Sequence, residues 1–161
     1  MIAGWGLGVN TLPPLLKTLE VADPDIFLSA CQYSLVYHEE ALETLFPKCE
    51  EQGVSVMVGA PLNFGFLAGR DRYNYGATIP DGMLEKRAAM QKVADEYDVD
   101  LRTAALQFSR EPQVVKAVIP GARNGQQATE NAKSFEAEIP KAFWEDLKSQ
   151  ELIAANAPVP A

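Results

Sequence analysis

Few side chains in this sequence are placed to carry chemistry. The single histidine, His38, directly follows Tyr37. A tyrosine's unperturbed pKa of about 10 requires a nearby cation before it can exchange protons near neutral pH. Tyr37 and His38 are the one candidate acid–base pair. Adjacent residues on extended chain point to opposite sides, so the two converge only through unusual backbone geometry. The competing reading makes His38 and Glu39 the start of a helix. Cys31 lies in an apolar run and Cys49 in a helical one, neither beside an activating base. Both read as packed thiols. No set of His, Cys and carboxylates shows metal-ligand spacing, so no metal and no catalytic residue is assigned.

The second feature is a long connection, residues 60–82. It includes Leu62-Asn-Phe-Gly-Phe-Leu-Ala-Gly-Arg-Asp-Arg-Tyr-Asn-Tyr-Gly76. Glycine, proline and aromatics dominate it, and no helical pattern emerges. Loops this long in compact domains are usually functional or disordered. A ligand-facing loop and a mobile surface loop are both open readings.

The elements that would position these residues alternate. Short apolar runs at 2–7, 26–31, 54–58 and 114–119 read as strands. Helical spacing occupies 12–21, where Pro13-Pro14 suits a first turn, and 39–52, where Gly53 is a natural stop. Further helices are expected over 83–97, 100–108 with Asp100 as cap, 126–135 and 140–152. Alternating strands and helices imply βαβ units and a parallel sheet. The long connection then follows the carboxyl end of a strand, where such folds place ligands.

The chain has 161 residues and a net charge of −8, with 47% hydrophobic residues. One domain is the default at this length. The acidic balance argues against nucleic acid or an anionic membrane as partner. It permits a local basic pocket. No apolar run reaches the roughly 20 residues that span a bilayer. Two cysteines and a start without signal-peptide features point to a reduced, cytoplasmic setting. Residues 1–153 are expected to form the domain, and the Ala- and Pro-rich 154–161 a flexible tail.

The segment Val118-Ile-Pro-Gly-Ala-Arg-Asn-Gly-Gln-Gln-Ala-Thr-Glu-Asn131 resembles a strand-eight block of the aldo-keto reductase family. Gln32-Tyr33-Ser34-Leu35 looks like that family's strand-six end. Ala60-Pro61-Leu62 with Gly65, Leu67 and Gly69 looks like its strand-seven loop, and Gly6-Leu-Gly-Val-Asn10 its strand-five end. The resemblance implies half of a (β/α)8 TIM barrel: strands five to eight of eight, with their helices. The wording is closest to the aldose or L-fucose dehydrogenase-like branch.

That resemblance implies hydride transfer between a nicotinamide dinucleotide and a sugar or other carbonyl or alcohol. The family's Asp, Tyr, Lys and His acid–base set belongs to its other half and has no counterpart here in order. The resemblance assigns cofactor contacts to Asn10, Gln32, Pro61, Leu62, Gly65, Leu67, Gly121, Ala122, Arg123, Gln127, Glu130 and Asn131. Gln32 would hold the nicotinamide carboxamide, with a barrel-mouth side chain satisfied by backbone as the alternative. The helix after Gly121 would offer amides to an anion. Gly59 stands where an aromatic often stacks on nicotinamide, leaving Phe64 or Phe66 to replace it. Gly121, Ala122 and Gln127 stand where NADP-preferring members have Lys, Ser and Arg. With Arg123 as the one nearby cation, NAD is expected over NADP.

The sequence thus reads as the cofactor-binding half of an oxidoreductase, inactive alone. The alternatives are a non-catalytic dinucleotide-binding or scaffold half-barrel, and a repurposed cofactor-independent enzyme using residues 64–75. Open sheet edges and an uncovered barrel core point to a homo-oligomer, most simply a homodimer.

Overall fold

A computed structural model describes residues 1–76 and 78–160. Ala77, inside the 60–82 connection, and Ala161, at the end of the 154–161 segment, lie outside the described residues. Four parallel strands, β1 (Gly8–Val9), β2 (Ile26–Ala30), β3 (Ser55–Gly59) and β4 (Val115–Ile119), form one sheet in the order 1-2-3-4. Helix α1 (Leu12–Val21) links β1 to β2. A π-helical turn, Ala41–Leu45, leads into α2 (Phe46–Gln52) before β3. The 60–82 connection then leads to α3 (Met83–Glu96) and α4 (Leu101–Arg110) before β4. Helices α5 (Gly125–Ser134) and α6 (Lys141–Ser149) follow.

The local signals work as their chemistry requires. Gly53 ends α2 at φ 71°, the left-handed conformation that glycine adopts freely. Asp100 caps α4, its Oδ2 accepting from the Thr103 N–H at 3.0 Å. The first strand differs from expectation. Residues 2–7 do not form it; the chain joins the ladder only at Gly8–Val9. Before that, Trp5 donates its N–H to Asp25 Oδ2 at 2.8 Å. Gly6 crosses so close that a Cβ there would stand 1.5 Å from the Ile26 carbonyl oxygen.

Side chains alternate across the sheet. Phe27, Ser29, Val56 and Val58 are buried, as are Leu12, Leu15 and Leu19 of α1. Eight of the ten residues of α4 are buried as well. An aromatic file, Tyr33, Phe108, Trp144 and Phe143, extends this core, with the Tyr33 and Phe108 rings stacked 5.3 Å apart. On the other face Ile26, Leu28, Ala30, Ser55 and Met57 stay half-exposed, and Ile119 is exposed.

The segment 154–161, expected to be a flexible tail, continues the packing of Ile153 over its described residues 154–160. Ile153 and Ala157 are buried, and the Ala154 N–H donates to His38 Nε2 at 3.0 Å. His38 is fully buried, and its Nδ1 faces the Ser34 carbonyl oxygen at 3.1 Å. The neutral ring with its proton on Nδ1 satisfies both contacts. A proton on Nε2 would set donor against donor.

Burial pushes the His38 pKa below the ordinary 6.5, against an upward pull from Glu39; Lys86 adds to the lowering. The unfolded chain therefore takes up this proton first. The contribution is complete above the ordinary value and declines as pH falls toward the folded-state pKa. We expect the urea midpoint to drop between about pH 7.5 and about pH 5.5, and to drop less in His38→Gln. Equal slopes in the two proteins would contradict this.

Candidate functional site

The carboxyl ends of β3 and β4 open onto a cleft of about 550 Å³. Ala60, Leu62, Phe64, Gly65, Ala68, Arg70 and Arg72 line it from the connection after β3. Ile119, Pro120, Gly121, Ala122 and Arg123 line it from the end of β4. Arg102 of α4 and Gln127, Glu130 and Asn131 of α5 complete it. Four arginines thus line a space with one acidic residue, Glu130, in a chain of net charge −8. Such a local inversion of charge attracts an anion.

Backbone geometry builds this cleft. Asn124 caps α5, its Oδ1 accepting from the Gln127 N–H at 2.9 Å. Gln127 Oε1 in turn accepts from the Arg123 N–H at 2.9 Å, fixing the β4–α5 turn. Gly121 makes that turn at φ 63°. Asn131 is buried; its Nδ2 donates to the Gly121 carbonyl at 3.2 Å and its Oδ1 accepts from Arg102. Arg102 also donates to Ser134 Oγ at 3.2 Å. These bonds tie α4 to α5 beside the cleft, which Arg102 lines.

The connection after β3 contains a tight turn, Asn63–Ala68, that the sequence did not suggest. Ala60, Asn63, Phe64 and Gly65 all take positive φ, at 54°, 47°, 60° and 95°. For the non-glycine residues this stores strain, which gathers at functional loops. Phe64 faces the cleft, with the Arg72 guanidinium 4.9 Å from its ring centre and Tyr75 packed edge-on at 4.5 Å.

Eight of the twelve sequence-assigned residues lie on this cleft: Leu62, Gly65, Gly121, Ala122, Arg123, Gln127, Glu130 and Asn131. Pro61 and Leu67 are buried beneath it. Asn10 and Gln32 sit apart, at the ends of β1 and β2, where Gln32 Nε2 donates to the Asn10 carbonyl at 2.8 Å. Of the two aromatics named for stacking, Phe66 is fully buried and unavailable. The expectation that Arg123 stands as the one nearby cation is corrected by Arg70, Arg72 and Arg102. Two arginines in a glycine-rich loop of an acidic chain were the visible signal for the first two. Nothing local marked Arg102.

The other reactive candidates are turned to structural tasks. Tyr37 donates its hydroxyl to Glu40 at 2.6 Å, which with burial pushes its pKa up to about 12. His38 points elsewhere, to Ser34 and Ala154, so the two do not converge. Burial pushes both Cys31 and Cys49 up to about 11, so neither is a thiolate at neutral pH. Among the described residues, no three His, Cys, Asp or Glu side chains gather as a metal site.

Gly65 gives this geometry a direct check. Its φ of 95° and its neighbour, Arg70 Cδ at 2.7 Å from an added Cβ, make Gly65→Ala both strained and displacing. Gly53→Ala carries the strain alone, since nothing lies within 4 Å. Left-handed backbone costs about 1–2 kcal/mol at either position. Both variants should melt several degrees lower, at roughly 2–4 °C per kcal/mol. Calorimetry with inorganic pyrophosphate should show weaker binding for Gly65→Ala alone.

Comparison with known proteins places this arrangement. The chain is 34% identical over 157 residues to pyridoxal 4-dehydrogenase of Microbacterium luteolum, covering 95% of this chain and 45% of that protein. It is 30% identical over 158 residues to D-threo-aldose 1-dehydrogenase of a Pseudomonas species, covering 95% and 47%. The chain thus spans about half the length of the curated relatives it matches. Among solved structures, the holo form of the aldo-keto reductase AKR11C1 from Bacillus halodurans superposes with a TM-score of 0.67 at 24% identity, covering 96% of this chain and 51% of that one. An aldo/keto reductase from Klebsiella pneumoniae in complex with NADP and acetate gives 0.62 at 20% identity, covering 98% and 49%. Residues 2–151 match the model of the aldo/keto reductase family, and the chain belongs to that family.

Proposed function

We propose that this chain is the nicotinamide-dinucleotide-binding half of an aldose-dehydrogenase-like oxidoreductase, corresponding to strands five to eight of the family barrel. The supporting observation is the cleft: four arginines, the amide end of α5 and a glycine turn at φ 63° converge beside one carboxylate. Two linked phosphates fit such a donor set, because charge-assisted hydrogen bonds from guanidinium groups are the strong ones. The open space beside Gly121 and Gly125, with nothing within 4 Å of an added Cβ, allows close backbone approach.

In this reading the bound dinucleotide supplies the hydride acceptor or donor. The chain's own residues bind and orient it. Arg70, Arg72, Arg102 and Arg123 neutralise phosphate, and Asn131 keeps Arg102 and the Gly121 turn together. Gln32, held by the Asn10 carbonyl, has its amide oxygen without a partner among the described residues and so open to a carboxamide N–H. The NAD preference expected from Gly121, Ala122 and Gln127 loses its basis, since three more cations replace those that are missing. NADP is the better fit, as an extra phosphate adds charge to a site rich in guanidinium. The substrate class is a sugar or other carbonyl, and chemistry awaits an acid–base set from outside these residues.

Fluorescence titration with NADPH and NADH tests this. NADPH should bind more tightly and lose affinity with added salt. Arg72→Ala and Arg123→Ala should each weaken it on the order of 10-fold. The isolated chain with NADP and an aldose should show no turnover. Absence of NADPH binding at millimolar concentration would overturn the reading.

We also propose that the half-exposed face around Leu28, Met57 and Ile119 is covered by a second copy of this chain. Parallel β-strands are normally covered on both faces. Sedimentation at low micromolar concentration should give a dimer; a single monomeric species would exclude it.

A further inference from the structure

Resting on the dinucleotide reading, the geometry points to Arg87 as the positioning residue of the cleft, the strut that holds its arginine-bearing loop in place. Arg87 lies on α3 and is not part of the cleft lining. Its guanidinium reaches across to the connection after β3. Nη1 donates to the Phe66 carbonyl at 3.2 Å and to the Arg70 carbonyl at 2.9 Å. Nη2 pairs with Asp71 Oδ1 at 3.3 Å, and the group lies 4.4 Å from the centre of the buried Phe66 ring. Its side chain is 19% exposed. One planar fork thus fixes both backbone and side chain of residues 66–71, as a lysine's point charge could not.

A clasp closes the other end of the loop. Fully buried Asn63 donates from Nδ2 to Asn74 Oδ1 at 3.0 Å, and the Asn74 N–H returns to the Asn63 carbonyl at 3.3 Å. Between clasp and strut stand Phe64, Gly65, Arg70 and Arg72, all facing the cleft. The strained φ values at Asn63 and Phe64 persist only while such contacts over-determine the loop. Arg87 thus presents Arg70 and Arg72 to phosphate without touching it. Holding the loop in its binding shape removes an ordering cost from association.

The test uses the intact chain, NADPH and trypsin. Arg87→Gln should weaken NADPH binding about 10-fold, since the loop must then be ordered on binding. In an Arg70→Gln, Arg72→Gln background the same change should have less than about a two-fold effect, because the groups it presents are gone. Trypsin should cut after Arg70 and Arg72 faster in Arg87→Gln than in the parent, and NADPH should restore protection. Arg87→Lys should fall between the two and serves in place of Arg87→Gln if that variant fails to fold. Unchanged affinity with unchanged cleavage, or a full effect in the double-variant background, overturns the assignment. If the parent chain binds no NADPH, the dinucleotide reading falls. Cleavage after Arg70 and Arg72 then decides Arg87 alone: accelerated cleavage upholds the strut, and an unchanged rate overturns it.

Discussion

The parallel pairing of β2, β3 and β4 sets where every segment of the cleft begins. Five consecutive pairings, Ile26 with Ser55 through Ala30 with Gly59, align the ends of β2 and β3. The β3–β4 pairing contains a shift between Val56 and Met57, so that Lys116 is the extra residue. After that bulge Ile119 lies level with Gly59. The chain therefore leaves β3 at Ala60 and β4 at Pro120 on the same rim. Were Lys116 paired in the ladder instead of bulged, side chains beyond it on β4 would exchange faces.

On that rim the protein concentrates what its composition opposes. The chain carries a net charge of −8, yet four arginines and one glutamate line the cleft. Arginines so close would repel one another without partners. Two of the guanidiniums have partners from the fold: Arg102 bonds to Asn131 and Ser134, and Arg72 lies over the Phe64 ring. The Arg70 carbonyl is held by Arg87, and the Arg123 N–H by Gln127. These contacts tie the site to α3, α4 and α5.

How much of this the sequence revealed follows from how local each signal is. The bounds of α1, the Gly53 stop and the Asp100 cap depend on a few neighbouring residues, and all were readable. The turn at Asn63–Ala68 was not, because phenylalanine has no preference for φ 60°. The first strand differs because the Trp5 and Leu7 carbonyls accept from the Asp25 and Leu28 N–H groups, whereas regular pairing begins only at Gly8, past the close approach of Gly6 to Ile26. The tail was misread from its Ala and Pro content, since its anchor is a histidine 116 residues away. Half of the cleft-lining residues, eight of sixteen, are assigned through family resemblance. Arg102 required the register of α4 against α5, which is a tertiary fact.

Strain and stability are balanced in the same few contacts. The connection after β3 holds several residues in left-handed backbone that an isolated peptide would abandon. Turn hydrogen bonds within the loop, such as the Gly65 N–H to the Leu62 carbonyl and the Arg70 N–H to the Gly65 carbonyl, offset part of that strain. Further restraint comes from α3 through Arg87, from the buried Asn63–Asn74 pair, and from Phe66 packed against Tyr73. These side chains face the protein rather than the cleft. A loop held this way keeps Arg70 and Arg72 on its cleft side. Strain borne on the inner side is thus what leaves the outer side open for a ligand.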